Sequence, residues 1–245
     1  MNIFQTLTHI RDQKGAGYIV LIDPDKKNES LIEQQVSVAN EAGVDALFVG
    51  GSLMMDSKCH ERVARIKSAS DIPVIFFPGG LSQLNPHYDA MLFMSVISGR
   101  NPHYLIGEQV LSAPVVKDLG IETIPTGYML FDGGANSTVE FMSGTKPIPM
   151  NRPDIAVAHG LAGQYLGMKL LYLEAGSGAK ISIPTEVISA MAKSVDCPLI
   201  VGGGIREPKE AEKRVLAGAS FIVTGTVIED NGSAMMKEFA DAIHS

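Results

Sequence analysis

The chain is poor in the features that mark several large functional classes. No stretch of its 245 residues approaches the ~18 uninterrupted apolar residues of a membrane span. The opening MNIFQTLTHIRDQKG has neither an apolar signal core nor a small-residue cleavage site, so the cytoplasm is the expected location. Only two cysteines occur, Cys59 and Cys197, without metal-ligand spacing; in a cytosolic protein they read as reduced packing thiols. Basic residues number 20 against 27 acidic ones, a net charge of −7, with no Lys/Arg cluster of the kind a nucleic-acid surface needs. No Ser-His-Asp arrangement and no HExxH pattern appears, and the histidines at 9, 60, 87, 103, 159 and 244 are scattered. They read as surface or loop residues, with His159, at the head of HGLAGQYLG, the one placed to face a site. Low positive charge does not exclude an anionic ligand, because backbone N–H groups hold phosphate unaided.

What is present is an alternation. Short runs rich in Val, Ile, Leu and Phe occupy residues 18–23, 46–50, 73–77, 90–94, 122–129, 169–174, 198–202 and 221–224. Runs without polar alternates suit parallel strands buried on both faces. Between most of them lie segments of helical spacing, at 29–42, 57–68, 103–119, 153–165, 184–194, 207–217 and 233–243. Strand–helix units repeated eight times predict a closed (β/α)₈ TIM barrel, and the length matches the roughly 250 residues such a barrel takes. Residues 1–245 are thus expected to form one domain, with no linker or low-complexity tract to divide it. The segment after the third run, PGGLSQLNPHYD, carries two prolines and two glycines, so a loop in place of the third helix is expected. The irregular stretch 131–152 follows the fifth strand and is expected to lie at the catalytic face, either covering the site or as a plain surface excursion.

Barrel chemistry sits at the C-terminal ends of strands. The seventh strand ends in VGGGIR and the eighth in TGT, which places Gly203, Gly204, Gly225 and Thr226 as a phosphate cradle of main-chain donors. The sixth ends in YLEAGSGA. Tyr172 and Glu174 share a parity, so both side chains point to one side. Glu174 reads as a general base or a hydrogen-bond anchor, or else as a rim carboxylate paired with a cation. Tyr172 reads as a site residue or as core; Gly176, Ser177 and Gly178 add donors. Asp23 closes a wholly apolar run, and a carboxylate beside bound phosphates is a good Mg²⁺ ligand. Asp25 is either a second ligand or a turn cap. Ser52, at the end of the second strand, either completes a cation site or caps a helix.

The combination LIDPDK, VGGS, YLEAGSGA, VGGGIR and TGT resembles the geranylgeranylglyceryl phosphate synthase family over essentially the whole chain. That resemblance implies a prenyltransferase: the C3 hydroxyl of sn-glycerol 1-phosphate attacks the first carbon of a prenyl diphosphate, geranylgeranyl diphosphate being favoured, and pyrophosphate leaves. It implies Mg²⁺ on Asp23 and Ser52, with Asp23 and Glu174 as the catalytic pair. It places glycerol phosphate on Tyr172, Leu173, Glu174, Ala175, Gly176, Ser177, Gly178, Gly203, Gly204, Gly225 and Thr226. It also implies a homo-oligomer, dimer or hexamer, with at most transient membrane contact. The chain departs from the family at one point. Many relatives carry a Lys two residues before the first-strand Asp, where this chain has Leu21, which suggests the bacterial-type branch. Lys26, Lys27 and Arg100 are the basic residues available to compensate. For the prenyl tail, Phe76, Phe77, Leu92, Phe93, Met94, Tyr104, Ile124, Tyr128 and Met129 offer apolar bulk, in a groove or as ordinary core.

Two other readings fit part of the pattern. A phosphate-binding isomerase or lyase of the same fold would use Asp23 and Glu174 as an acid–base pair and would work without metal. A non-catalytic phosphate-binding protein would bind glycerol phosphate without turnover.

Overall fold

Apolar runs too short for helices pair side by side in the computed structural model, which describes residues 1–232 and 234–244. Among the described residues eight parallel strands close in chain order: β1 (Gly17–Ile22), β2 (Ala46–Val49), β3 (Val74–Phe76), β4 (Ala90–Val96), β5 (Glu122–Leu130), β6 (Leu170–Glu174), β7 (Leu199–Gly202) and β8 (Phe221–Thr224). Pairing of β8 with β1, from Gly17↔Phe221 to Val20↔Thr224, completes the ring. The helices are α1 (Ile3–Lys14), α2 (Ile32–Ala42), α3 (Cys59–Ala69), α4 (Glu108–Leu119), α5 (Thr138–Ser143), α6 (Pro153–Tyr165), α7 (Thr185–Ala192), α8 (Pro208–Leu216), α9 (Thr226–Asn231) and α10 (Met235–Ile243). The helix expected over 233–243 starts at Ser233, which lies outside the described residues.

Strand parity divides the core in two. Ile19, Phe48, Leu92, Ile124, Tyr172, Ile200 and Phe221 point inward and fill the barrel. Their neighbours Val20, Leu47, Leu171, Leu173, Val201 and Ile222 point outward and pack beneath the helices. Each such side chain contributes about 1.5–3 kcal/mol on burial, which is why these strands read as unbroken apolar runs. The N-terminal mouth is sealed by α1. Its Leu7 joins the interior cluster, and the N–H groups of Ile3 and Phe4 donate to the Glu122 carboxylate at 2.6 and 3.1 Å. This helix is not among those expected from periodicity. Its signal is a capping box, in which the Gln5 N–H donates to Asn2 Oδ1 and the Asn2 N–H to Gln5 Oε1. With that mouth closed, a ligand enters from the C-terminal one.

Two segments shape that open mouth. Between β3 and β4 only a single 3₁₀ turn, Leu81–Gln83, stands where a helix would be, as the prolines and glycines there predict. Residues 131–152 contain the short α5 and a parallel bridge, Phe131↔Ile148. This excursion packs against the β6 loop: the N–H groups of Lys180 and Ile181 donate to the Gly133 carbonyl, and Ser137 lies against Gly176. It therefore belongs to the C-terminal face.

Candidate active site

A buried carboxylate stands at the open mouth, Glu174, the last residue of β6. Its side chain turns inward like that of Tyr172, while Leu173 between them turns outward. Glu174 is 7% exposed, and its Oε1 accepts the Gly176 N–H at 2.6 Å. Burial pushes its pKa up to about 7, although the Gly176 N–H and the neighbouring Tyr172 hydroxyl pull the other way. The cause is the floor beneath it. Tyr172 packs among Phe77, Tyr128 and Phe48, with ring centroids 5.4, 5.5 and 6.4 Å away, so little polar matter lies below to stabilise the anion. The Tyr172 hydroxyl is itself buried and directed at this carboxylate, without the geometry of a full hydrogen bond. Gly202 on β7 makes room for both groups. A Cβ there would lie 2.6 Å from the Tyr172 hydroxyl and 3.1 Å from Glu174 Oε2.

Around this carboxylate the ends of β6, β7 and β8 converge. Gly203 has φ 82°, and a Cβ on it would come within 2.5 Å of Glu174 Oε1 and 2.8 Å of the Gly176 nitrogen. Only glycine fits that crossing. The N–H of Ala175 is spent on the Gly202 carbonyl and that of Gly176 on Glu174. Those of Ser177, Gly178, Gly203 and Gly204 have no acceptor among the described residues and are free to donate outward. From β8, Gly225 opens the short helix α9, and Thr226 Oγ1 stands 3.3 Å from Ser177 Oγ. Loops after strands 7 and 8 with the N-terminus of a short extra helix are the recurring phosphate site of this fold.

Most of the expected cradle residues thus meet in space, with three qualifications. The side chains of Leu173 and Ala175 pack into the shell beneath the helices, so only their main chain borders the site. Gly204 faces outward: a Cβ there would meet the backbone of Ser182 and Ala179. Leu21 lies beside Gly225, 3.4 Å from where a Cβ would stand, so the cradle has an apolar neighbour at that point.

Across the mouth, Asp23 follows β1. Its Oδ1 is buried without a hydrogen-bond partner among the described residues, and desolvation raises its pKa against the opposing pull of Lys27, whose Nζ is 3.5 Å from Oδ2. Gly51 packs on that carboxylate, since a Cβ there would sit 2.5 Å from Oδ1. Ser52 follows, exposed at the rim. Asp25 is committed elsewhere. It accepts the N–H groups of Met55 at 2.8 Å and Lys27 at 3.3 Å, capping the 3₁₀ turn Lys26–Asn28 and tying the β1 loop to the β2 loop. These donors outweigh the cost of burial and hold its pKa below the ordinary value.

Gln83 is a residue that sequence reasoning missed. Its side chain accepts the Gly51 N–H at 3.3 Å and donates to the Gly51 carbonyl at 2.7 Å, fixing the β2 loop from the β3 side. Nothing local marks it, because it sits in a segment that reads as loop. Of the three basic residues available to compensate for Leu21, Lys27 alone pairs with Asp23. Arg100 donates to the Ser98 and Gly99 carbonyls and to His159, which accounts for His159 as its partner and not a cradle residue.

Where the third helix is missing, an apolar groove opens between β3, β4 and α4. It is lined by Phe76, Leu81, Leu84, Met91, Phe93, Met94, Tyr104 and Ser112. Four of the residues considered for a tail groove, Phe76, Phe93, Met94 and Tyr104, lie on it. The others do not: Phe77, Leu92, Ile124 and Tyr128 face the barrel interior, and Met129 packs beneath the helices. Parity alone does not decide this, since Met94 shares the parity of Leu92 and still lines the groove.

The sequence profile of the PcrB family matches residues 8–243. A protein of Chitinophaga pinensis named geranylgeranylglyceryl phosphate synthase is 48% identical over 237 residues, 96% of this chain and 94% of that one. A protein of the same name from Thermococcus kodakarensis is 45% identical over 230 residues, 94% and 90% of the two chains. The crystal structure of (S)-3-O-geranylgeranylglyceryl phosphate synthase from Thermoplasma acidophilum, in complex with its substrate sn-glycerol-1-phosphate, superposes with a TM-score of 0.93 at 34% identity. That match covers 100% of this chain and 99% of the other.

Proposed function

The chain belongs to the PcrB family, and on that premise we propose how it works as a geranylgeranylglyceryl phosphate synthase. It is a prenyltransferase that joins sn-glycerol 1-phosphate to a prenyl diphosphate. The C3 oxygen of glycerol phosphate forms a bond to the first carbon of the prenyl chain as the bond from that carbon to the diphosphate breaks. Pyrophosphate carries away the electron pair, and the hydroxyl proton goes to Glu174. The observation that carries this reading is the Glu174 carboxylate, buried at the rim with a pKa of about 7 and encircled by free main-chain donors. A base of that strength takes a proton at neutral pH, whereas an ordinary carboxylate is a poor acceptor. The cradle holds the phosphate of the nucleophile, so its hydroxyl is delivered to one place, and such positioning supplies a large part of the rate.

Asp23 and Ser52 suit Mg²⁺. The orphaned, buried Asp23 Oδ1 is a hard oxygen donor, and Ser52, next in sequence to the Gly51 that packs on it, offers another. Among the described residues no group of three or more His, Cys, Asp or Glu could enclose a metal alone. An ion held by these one or two ligands would be completed by substrate phosphates. When bound, the ion neutralises the charge that develops on the leaving pyrophosphate. Lys27, beside Asp23, adds a second positive charge toward the same group. The groove between β3, β4 and α4 takes the prenyl tail, and geranylgeranyl is the favoured chain. Among the described residues no helix is long and apolar enough to cross a membrane. We place the enzyme in the cytoplasm, touching the membrane transiently to collect and release lipid. Val110, Leu111 and Val115 along α4, exposed together with Ile106 just before it, support a dimer or hexamer.

The test is transfer of radiolabelled glycerol phosphate to farnesyl, geranylgeranyl and heptaprenyl diphosphates, with and without Mg²⁺. Geranylgeranyl diphosphate is the expected best acceptor, and chelator stops the reaction. Asp23→Asn lowers turnover by about 10²-fold or more, because charge neutralisation at the leaving group is worth several kcal/mol. Full activity with chelator, or in the Asn variant, refutes the cation assignment.

A further inference from the structure

Arg62, on α3, is 1% exposed, yet it carries a full charge. A buried guanidinium persists where most of its donors are matched, and here only Nε lacks a hydrogen-bond partner among the described residues. Here Nη1 and Nη2 fork onto the two Asp56 carboxylate oxygens, each at 2.7 Å. Nη2 also donates to Glu29 Oε2 at 2.8 Å, and Nη1 reaches the Pro24 carbonyl at 3.4 Å. These partners belong to separate pieces of chain. Pro24 immediately follows Asp23, Asp56 stands four residues beyond Ser52, and Glu29 leads into α2. The Asp25 carboxylate, bonded to the Met55 N–H, joins the same two loops at a second point. One buried cation therefore ties the loop that begins at Asp23 to the loop that contains Ser52, without facing the mouth of the barrel.

We propose that Arg62 is the positioning residue of the cation half of the site, holding Asp23 and Ser52 in register by locking the β1 loop to the β2 loop. The proposal rests on the reading of Asp23 and Ser52 as the Mg²⁺ ligands. The main-chain cradle on β6, β7 and β8 is built independently of Arg62, so its ligand is unaffected. Two affinities separate under substitution: that for a divalent ion with a diphosphate weakens, and that for glycerol 1-phosphate does not.

The experiment uses the full chain, with Mn²⁺ and inorganic pyrophosphate as probes. Bound Mn²⁺ is read by electron paramagnetic resonance, and glycerol 1-phosphate affinity by calorimetry without metal. In Arg62→Met and in Asp56→Asn, Mn²⁺–pyrophosphate affinity is expected to fall at least tenfold while glycerol 1-phosphate affinity stays within twofold. Arg62→Lys, which pairs with Asp56 but cannot fork onto it, falls in between. Unchanged Mn²⁺ binding in a folded Arg62→Met protein overturns the proposal, and so does an equal loss of both affinities, which marks general destabilisation. Should Arg62→Met fail to fold, Asp56→Asn decides alone by the same two readouts. If wild-type Mn²⁺ binding is no stronger than that of Asp23→Asn, the reading of the cation site falls, and the proposal with it. Binding that depends on Asp23 but survives the loss of Arg62 overturns the proposal only.

Discussion

Replacing Glu174 with glutamine separates what the carboxylate does for the reaction from what it costs the fold. The side chain keeps its size, and the Gln carbonyl still accepts the Gly176 N–H. What disappears is an ionisable group whose pKa in the folded protein is about 7 against an ordinary 4.5. A folded pKa above the unfolded one means that the native state holds the proton more tightly, so stability is lost as pH rises from the lower value to the higher. At ~1.4 kcal/mol per pKa unit, the ionised form carries a cost of ~3 kcal/mol once the pH passes both values. Glu174→Gln is therefore expected to be more stable than wild type by ~3 kcal/mol near pH 8 and by ~1 kcal/mol near pH 5. The gain in stability accompanies a turnover loss of about 10²–10⁴-fold, the usual contribution of a general base. In wild type, kcat/KM rises with pH and levels off above about 7, as the base loses its proton. Urea unfolding of both proteins without ligands, at the two pH values, reads the first effect, and initial rates read the second. A stability difference that does not change with pH would show that the carboxylate is not desolvated. Undiminished turnover in the glutamine variant would place the proton acceptor elsewhere.

The remaining predictions concern the cradle, the groove and the sealed mouth. Gly203→Ala forces a Cβ to within 2.5 Å of Glu174 Oε1 at a φ of 82°. It is expected to weaken glycerol 1-phosphate binding at least tenfold by calorimetry and to cost ~1–2 kcal/mol in unfolding. Ser112→Phe fills the groove beside Phe93 and Tyr104. A competition assay between farnesyl and geranylgeranyl diphosphates is expected to shift toward the shorter chain, and an unchanged ratio would move the tail to another surface. Glu122→Ala removes the acceptor for two N–H groups at the start of α1. It is expected to lower the unfolding free energy by ~1–2 kcal/mol while leaving both KM values unchanged.

Much of the architecture was readable before any coordinates because its causes are local. Parallel strands buried on both faces have no polar alternate, so runs such as those around Ile19, Leu171 and Val201 announce themselves. The missing third helix was equally plain, since Pro78 and Pro86 lack the N–H a helix needs and Gly79 and Gly80 lose the most backbone freedom in one. The glycines after β6, β7 and β8 marked the cradle, because a loop that exposes its N–H groups to a ligand excludes side chains. Residues whose role depends on distant parts of the chain stayed hidden. Gln83 acts on Gly51, Arg62 on Pro24 and Asp56, and Glu122 on the start of α1. The apolar groove was half legible for a related reason: composition supplied apolar bulk, but the packing of β3, β4, α4 and the neighbouring 3₁₀ turn decided which side chains border it.

The amino-acid order by itself determined the barrel, the glycine cradle and the placing of Asp23 and Glu174 at strand ends, since hydrophobic periodicity and backbone sterics act over a few residues. Tertiary structure alone decided that burial pushes the Glu174 carboxyl up to about 7 and that Asp25 ties the β1 loop to the β2 loop, whereas the Lys27–Asp23 pair spans only four residues of one loop. The first two properties depend on solvent exclusion and on contacts between loops of different strands, which exist only once the strands have paired.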